Sequence, residues 1–185
     1  MDWNEYFFKI CHAVKERSKD QNTKIGCVIV ADDNTVVSTG YNGFPSGVDD
    51  SFWPNNRTDV LHVVNCGKDN LIVKEVPEPF TVDGIKREFT KIGTISKYDV
   101  FVHAETNAIY SAAKNGHPTR GCTMYCNYLP CNGCAMAIIN AGIKRVVIET
   151  DEMPSPAWAK AYTITWEMFS QAGIEVVVWN KSEEK

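Results

Sequence analysis

Two short motifs constrain the fold of this chain more than any other feature of its sequence. The first is His103-Ala104-Glu105, and the second is Pro130-Cys131-Asn132-Gly133-Cys134. One imidazole and two thiolates make a set of three ligands that suits Zn²⁺ and leaves its fourth tetrahedral position open, as catalytic zinc sites require. The fold must therefore bring His103 next to Cys131 and Cys134, although the motifs lie far apart in the chain.

Each motif lies at the start of a predicted helix. The residues after Glu105 favour helix as far as Lys114, and Asn115-Gly116 is typical of a helix C-terminus. A second helix is predicted to start with the cysteine motif and to stop at Gly142. Two helix N-termini are therefore expected to point at one metal ion, where their positive dipole ends favour the thiolate form of both cysteines.

Glu105 lies two residues beyond the predicted ligand His103 and is predicted to act as the catalytic acid and base. A nucleobase amine leaves only when protonated, so its removal needs a group that carries protons from water to the ring and the amine. The order H-x-E and then P-C-x-x-C is typical of zinc nucleobase deaminases, in which the glutamate has this role. The alternative, a structural zinc site, would use a fourth Cys or His nearby and would have no use for Glu105.

The composition bounds the size and the location of the protein. With 185 residues, of which 44% are hydrophobic, the chain is long enough for one buried core and short for two. The chain has seven cysteines, which is an odd number, and two of them are assigned to zinc. This count favours a reducing compartment over a disulfide framework. The first residues show no basic leader before an apolar run, and no stretch approaches the length of a membrane span. We predict a cytoplasmic protein with no membrane partner.

The formal net charge of −4 bears on the choice of substrate. Enzymes that hold a polynucleotide usually carry a groove of Lys and Arg, whereas a free nucleotide needs only a few phosphate contacts. Because the overall charge shows no strongly basic footprint, a small nucleotide is favoured over a nucleic acid, although a local basic patch could be concealed in the total.

Strands and helices are predicted to alternate along most of the chain, from hydrophobic periodicity and turn residues. The predicted elements outside the two motif helices are a helix over 2–18, strands over 25–31 and 35–41 that pair as a hairpin, strands over 122–127, 144–150 and 174–179, and a helix over 157–172. This order predicts an α/β fold in which helices are layered against a sheet.

Residues 45–102 interrupt this alternation. Their first part is polar and includes Pro54 and Asn55-Asn56-Arg57, and an apolar segment follows at 71–76. A structureless loop of this length is improbable inside a compact domain. We therefore predict a single domain over 1–185 with an insertion at about 45–102, which holds short helices or strands and covers the active site or makes subunit contacts.

Four stretches of the chain resemble the deoxycytidylate deaminases of the cytidine deaminase superfamily. They are RSKDQNTKIGCVIV (17–30), TGYNGFPSGVDD (39–50), HAETNAI (103–109) and PCNGCAMAIINAGIKRVV (130–147). GYNGFP separates this group from cytidine and guanine deaminases, while tRNA adenosine deaminases carry a related G-x-N. The resemblance implies a three-layer α/β/α cytidine-deaminase-like fold with a mixed sheet of about five strands. It also implies hydrolytic deamination of dCMP to dUMP with release of ammonia, which feeds dTMP synthesis.

The resemblance further implies residues that bind the substrate. Asn42 would lie at the mouth of the active site and hydrogen-bond the sugar of the nucleotide. As the residue before Gly43 it is also a common turn former, and both roles are compatible. Lys24 lies on the approach to the first strand, where its ammonium could meet the 5′-phosphate, although a solvated lysine is nearly as good an interpretation.

Enzymes of the resembled family are typically homohexamers that dCTP activates and dTTP inhibits, with Mg²⁺ beside the effector. The chain resembles their effector segment over residues 42–50, and its candidate effector residues are Gly43, Phe44, Gly47, Asp49 and Asp50. Backbone amides around the two glycines could cradle phosphates, and either aspartate could hold the cation directly or through water. A polar Gly/Pro/Asp loop without a ligand is the alternative for each of these residues.

Some relatives carry a second, structural zinc, and this chain departs from their pattern. Residues 46–50 contain no Cys, and residues 96–102 contain neither Cys nor His. The spacing of Cys11, His12, His62 and Cys66 matches no zinc motif, so we predict one zinc ion per chain. Two other functions stay open: deamination of tRNA or single-stranded nucleic acid, and a catalytically silent nucleotide-binding zinc protein.

Overall fold

The computed structural model describes residues 1–66, 68–82, 84–150, 152 and 155–179. Its α-helices are α1 (Trp3–Lys15), α2 (Lys97–Val100), α3 (Ala104–Lys114), α4 (Asn132–Asn140) and α5 (Ala159–Ala172). Its strands are β1 (Gly26–Val30), β2 (Val36–Tyr41), β3 (Leu61–Cys66), β4 (Asp69–Val73), β5 (Phe80–Val82), β6 (Ile85–Arg87), β7 (Thr90–Ile95), β8 (Thr123–Cys126), β9 (Arg145–Ile148) and β10 (Glu175–Val178). In this described part of the chain, no helix combines the length and the apolar run that a membrane span needs.

The chain divides into two compact units, and the first contains the larger sheet. This unit comprises Met1–Lys19, Thr23–Gly43 and the described residues between Val102 and Trp179. Its five-stranded sheet has the order β10-β9-β8-β1-β2, in which β8, β9 and β10 run parallel and β1 is antiparallel to both of its neighbours. The predicted mixed sheet is therefore confirmed.

Helices cover both faces of this sheet. Strand β1 shows this, because its side chains point alternately to opposite faces and all of them are buried. Cys27 and Ile29 pack in a core that α3, α4 and α5 share. Val28 and Val30 pack instead with apolar side chains of α1. The first unit is thus a three-layer α/β/α structure, as predicted.

The hairpin of β1 and β2 is antiparallel, as predicted, with Val28 opposite Thr39. Asn34 in its turn has a left-handed backbone with a φ of 67°. Asp33 Oδ1 accepts a hydrogen bond of 2.9 Å from the Thr35 amide. Asn and Asp suit these positions because Asn tolerates the left-handed region and Asp bonds its own backbone two residues on. The turn residues thereby help to set the register of the hairpin.

The second unit comprises Asp20–Asn22 and Phe44–Phe101. It contains the antiparallel sheet β4-β3-β7, the hairpin of β5 and β6, and the short helix α2. The insertion therefore holds short strands and a helix, as expected from its length. Its role as a cover for the active site or as a subunit contact stays a prediction, as does the single-domain organisation.

A buried ion pair joins the two segments of the second unit. Lys97 Nζ lies 2.9 and 2.7 Å from the two carboxylate oxygens of Asp20, and both side chains are buried. Asn22 Oδ1 accepts a hydrogen bond of 3.2 Å from the Arg57 amide. A charge is tolerated in a protein interior only when it is paired, so the buried Asp20 and Lys97 depend on each other. These contacts therefore group residues 20–22 with the insertion rather than with α1.

Candidate metal centre and active site

The structure brings together the three predicted ligands in the first unit. The donor atoms of His103, Cys131 and Cys134 all lie within 4.8 Å of one another, and no other such cluster occurs among the described residues. His103 Nδ1 is 3.4 Å from each sulfur. A tetrahedral Zn²⁺ with ordinary bond lengths separates a nitrogen and a sulfur ligand by roughly 3.6 Å. Both the donor set and its spacing therefore fit zinc.

Two helix N-termini position these ligands. His103 is the N-cap residue of α3, and Cys131 is the N-cap residue of α4. Neither side chain caps its own helix, so both are available to the cluster. The positive ends of two helix dipoles favour anionic groups at this point.

The hydrogen bonds of the cluster shift the pKa values of its members. The Cys134 thiol and the His103 imidazole lower the pKa of Cys131. The bond to Cys131 raises the pKa of His103 to about 9. The bond with Cys131, together with burial, raises the pKa of Cys134. Without a metal ion, the ligand side chains of the cluster share protons. A divalent cation would replace these protons, because metal binding releases protons from the ligands.

Glu105 lies in the first turn of α3, beside the cluster. Only 6% of it is exposed, and its Oε2 accepts a hydrogen bond of 3.6 Å from the Cys134 thiol. Burial raises the pKa of Glu105. A carboxyl group with a raised pKa is suited to take up and release protons near neutral pH.

The zinc-binding region of the cytidine and deoxycytidylate deaminases matches residues 1–150, which include the whole cluster and Glu105. The chain belongs to this deaminase family. The family that the four sequence stretches predicted is therefore confirmed.

Relatives within this deaminase family match most of the chain. Human deoxycytidylate deaminase is 34% identical over 174 residues, which are 94% of this chain and 78% of the relative. The deoxycytidylate deaminase of Enterobacteria phage T2 is 32% identical over 189 residues, covering 91% of this chain and 87% of the relative. The crystal structure of the dCMP deaminase of cyanophage S-TIM5 superposes with a TM-score of 0.60 at 20% identity, covering 95% of this chain and 96% of that one. This likeness confirms the predicted deaminase fold.

Gly40 positions α3 in this member of the deaminase family, and the sequence analysis missed it. A Cβ atom at Gly40 in β2 would lie 2.2 Å from the carbonyl oxygen of Ala104 and 2.4 Å from the amide nitrogen of Ala108. The backbone of α3 therefore rests directly on β2. Ser38 adds a hydrogen bond of 2.8 Å to the Ala108 carbonyl. A glycine inside a predicted strand was the available signal, because it often marks a close backbone approach.

Two threonines support the cysteine motif and were also missed. Thr165 on α5 is fully buried and donates a hydrogen bond of 2.9 Å to the carbonyl of Pro130. Thr106 Oγ1 lies 3.5 Å from Cys134 Sγ. No local pattern distinguishes these threonines from others in helices, so sequence reasoning had no signal for them.

The predicted substrate residues Asn42 and Lys24 lie in the first unit, and each contacts residues outside the predicted metal ligands. Asn42 is buried, its Oδ1 accepts a bond of 2.8 Å from the Ile25 amide, and its Nδ2 donates one of 2.8 Å to the Thr23 carbonyl. Lys24 Nζ is 3.3 Å from Glu16 Oε2 on the surface. Asn42 therefore holds the segment before β1, and the substrate roles of both residues stay predictions.

Two of the predicted effector residues have structural partners in their own units. In the first unit, the Gly43 amide donates to the Val102 carbonyl at 3.1 Å, and the Val102 amide donates back at 2.8 Å. In the second unit, the ring of Phe44 packs edge to face on Phe101, with centroids 4.5 Å apart. These contacts shape the start and end of the insertion, and the effector roles of Gly43 and Phe44 stay predictions.

The remaining effector candidates lie in two consecutive turns of the second unit, over 45–48 and 49–52. Gly47 has a φ of +88°, which a side chain would strain. Asp49 Oδ1 accepts bonds from the Ser51 amide at 3.0 Å and the Ser51 hydroxyl at 2.7 Å. These bonds lower the pKa of Asp49, so it is anionic at neutral pH. Asp50 is half-buried beside it, and the effector roles of these residues stay predictions.

Proposed function

We propose that this protein deaminates dCMP hydrolytically to dUMP and ammonia. The observation that carries the proposal is the buried Glu105 carboxyl, 3.6 Å from Cys134 within a cluster whose three donors fit zinc. Among its relatives, the human and phage T2 proteins are deoxycytidylate deaminases, and the cyanophage S-TIM5 enzyme has been solved with dCMP and dUMP. These names support dCMP as the substrate.

His103, Cys131 and Cys134 are the residues that would hold Zn²⁺. When bound, zinc supplies a Lewis acid that lowers the pKa of water from about 15.7 toward about 7. The two thiols and the imidazole must give up their protons to bind the metal. Their places at two helix N-termini assist, because the helix dipoles favour the thiolate forms.

Glu105 would move the protons of the reaction. It takes a proton from the attacking water and gives it to N3 of cytosine while an oxygen atom bonds to C4. It then takes the second proton of that oxygen and delivers it to the amine, the C4–N bond breaks, and ammonia leaves. The sum is one water consumed and one ammonia released. Burial of Glu105 serves this task because it raises the pKa of the carboxyl toward the working pH.

The test is ammonia release from candidate substrates offered in parallel. The purified protein, with zinc content confirmed, is incubated with dCMP, dCTP, deoxycytidine and single-stranded DNA. We expect turnover of dCMP. Turnover of DNA alone, with tight binding that weakens as salt rises, would identify a polynucleotide deaminase instead. Silence on every substrate with zinc in place would identify the catalytically silent alternative.

Removal of either cysteine of the cluster is expected to empty the metal site. Cys131→Ala and Cys134→Ala should weaken zinc binding by more than the roughly 10–100-fold that loss of an outer-shell partner costs, because each removes a direct ligand. Metal analysis after equilibration with a zinc buffer measures the loss. Cys66→Ala in the second unit is the matched control and should retain zinc. Full zinc content in either cluster variant would remove that cysteine from the set of ligands.

We propose further that the protein is a homohexamer that dCTP activates and dTTP inhibits, with Mg²⁺ beside the effector, and that its dUMP feeds dTMP synthesis. The resemblance of residues 42–50 to the family's effector segment supports regulation at Gly43, Phe44, Gly47, Asp49 and Asp50. Light scattering would test the assembly, and a cell fraction assay would test the cytoplasmic location. The velocity of dCMP turnover with each effector and Mg²⁺ would test the regulation.

Neutralising Asp49 is expected to weaken inhibition by dTTP and Mg²⁺ by about tenfold, since a carboxylate that holds a cation loses its charge in Asp49→Asn. The concentration of dTTP that halves the rate is the measurement. Asp33→Asn is the matched control, because Asp33 accepts the amide of Thr35 at 2.9 Å as Asp49 accepts that of Ser51. Equal inhibition of Asp49→Asn and wild type would exclude Asp49 from the effector site.

A further inference from the structure

Tyr162 on α5 is a buried tyrosine whose hydroxyl has no hydrogen-bond partner among the described residues, although only 5% of the residue is exposed. Tyr125 has the same 5% exposure, yet its hydroxyl is bonded to Asn4 Oδ1 at 3.0 Å. A tyrosine with a buried ring usually directs its hydroxyl to a partner or to solvent, because the polar end is costly to desolvate. The hydroxyl of Tyr162 adds nothing to the packing of the ring, since phenylalanine would pack equally well.

The hydroxyl of Tyr162 is also not sealed inside the core. Among the described residues, three side-chain atoms are both sealed from space and without a partner, and the Tyr162 oxygen is not one of them. The oxygen therefore borders open space, while the ring is packed among apolar side chains of the first unit. A ligand that enters this space can accept a hydrogen bond from the Tyr162 hydroxyl in place of water.

The face of α5 that carries Tyr162 is fixed against the cysteine motif. Thr165, three residues further along the helix, bonds the Pro130 carbonyl at 2.9 Å, and Pro130 immediately precedes Cys131. Residues three apart on a helix lie on the same face. The Thr165 bond therefore places Tyr162 beside the loop that supplies Cys131.

The electrostatic surroundings agree with this placement. Burial raises the pKa of Tyr162 to about 12, and Glu105, Tyr128 and Cys131 contribute to the rise through their charges. Tyr162 therefore stays protonated at neutral pH and is a neutral hydrogen-bond donor.

We infer that the Tyr162 hydroxyl donates a hydrogen bond to an acceptor oxygen of the nucleotide and is a substrate-binding residue of this chain. The inference rests on the proposed function, because it needs a nucleotide beside Glu105. The acceptor is an oxygen of the pyrimidine nucleoside or of its phosphate, since both accept from a neutral phenol. A site built to bond a substrate oxygen loses affinity when its donor is removed.

The test is Tyr162→Phe, which removes one oxygen atom and keeps the ring. Calorimetry with dUMP should show a Kd about tenfold higher than that of the wild type, as for loss of one hydrogen bond. Zinc content and the urea midpoint should not change. Tyr125→Phe is the matched control: it should lower the urea midpoint through loss of the Asn4 bond and leave the Kd unchanged. An unchanged Kd in Tyr162→Phe would overturn the inference.

Two further arms separate the outcomes. Deoxyuridine replaces dUMP in the same titrations: an equal weakening in Tyr162→Phe assigns the acceptor to the nucleoside, and weakening with dUMP alone assigns it to the phosphate. Ammonia release from dCMP by the wild type tests the proposed function separately. Wild-type turnover with equal dUMP affinities overturns only the inference. A wild type that neither releases ammonia nor binds dUMP overturns both proposals.

Discussion

Glu105→Gln is expected to retain zinc and to lose dCMP turnover by about 10²–10⁴-fold, the usual contribution of a general acid and base. Glutamine keeps the size of the side chain and removes none of the three zinc ligands, so zinc should stay bound. It cannot take the proton of water or deliver one to the amine. Turnover by ammonia release and zinc by metal analysis, on the same sample, measure the two effects.

The matched control for this variant is Glu5→Gln, which changes another first-turn glutamate, on α1. It should leave both turnover and zinc unchanged, because Glu5 pairs with Lys9 at 3.0 Å on the surface. Turnover of Glu105→Gln within a factor of about three of the wild type would exclude Glu105 as the proton carrier, given the contribution expected of one. Loss of zinc from Glu105→Gln would instead show that the carboxylate supports the ligands.

Gly40→Ala is expected to displace α3 and to damage both stability and activity. The added Cβ would meet backbone atoms of Ala104 and Ala108 at 2.2 and 2.4 Å, and backbone cannot rotate away as a side chain can. Overpacking of this kind costs about 1–3 kcal/mol of unfolding free energy. A shift of about 1 Å at a catalytic group can lower turnover by roughly 10²-fold, and Glu105 moves with α3.

Urea unfolding and ammonia release test this expectation together. Gly93→Ala is the matched control, because Gly93 also lies in a strand, β7, and a Cβ there meets nothing within 4 Å. Gly93→Ala should leave dCMP turnover unchanged and should change the free energy of unfolding very little. Wild-type stability and turnover in Gly40→Ala would show that α3 does not depend on this close approach.

The sequence predicted the helices and strands of the first unit well because each depends mainly on its own residues. The buried run of β1 and the helix-forming residues of α3 are patterns of neighbours in the chain. The insertion was harder to interpret, since its short strands carry mostly exposed residues with little periodicity. Its segment Asp20–Asn22 was not predicted at all, because contacts with residues remote in the chain, such as the buried pair of Lys97 with Asp20, assign it there.

The sites of Asn42 and Tyr162 show where sequence patterns reach their limit. Asn42 before Gly43 predicts a turn, but nothing local predicts that its amide binds both Thr23 and Ile25. Tyr162 has the spacing of an ordinary core residue. That its hydroxyl has no hydrogen-bond partner among the described residues becomes evident only when the contacts of α5 are known.

The sequence by itself determined the chemistry of the candidate site: one imidazole, two thiols and a carboxyl, each placed in the first turn or at the cap of a helix. Only the tertiary structure decided that His103 Nδ1 lies 3.4 Å from both sulfurs and that Glu105 is buried beside them. The physical reason is that residue type and helix starts are local properties. The distances depend on how closely α3 and α4 pack on the sheet, which Gly40 and Thr165 control through contacts between segments that are remote in the chain.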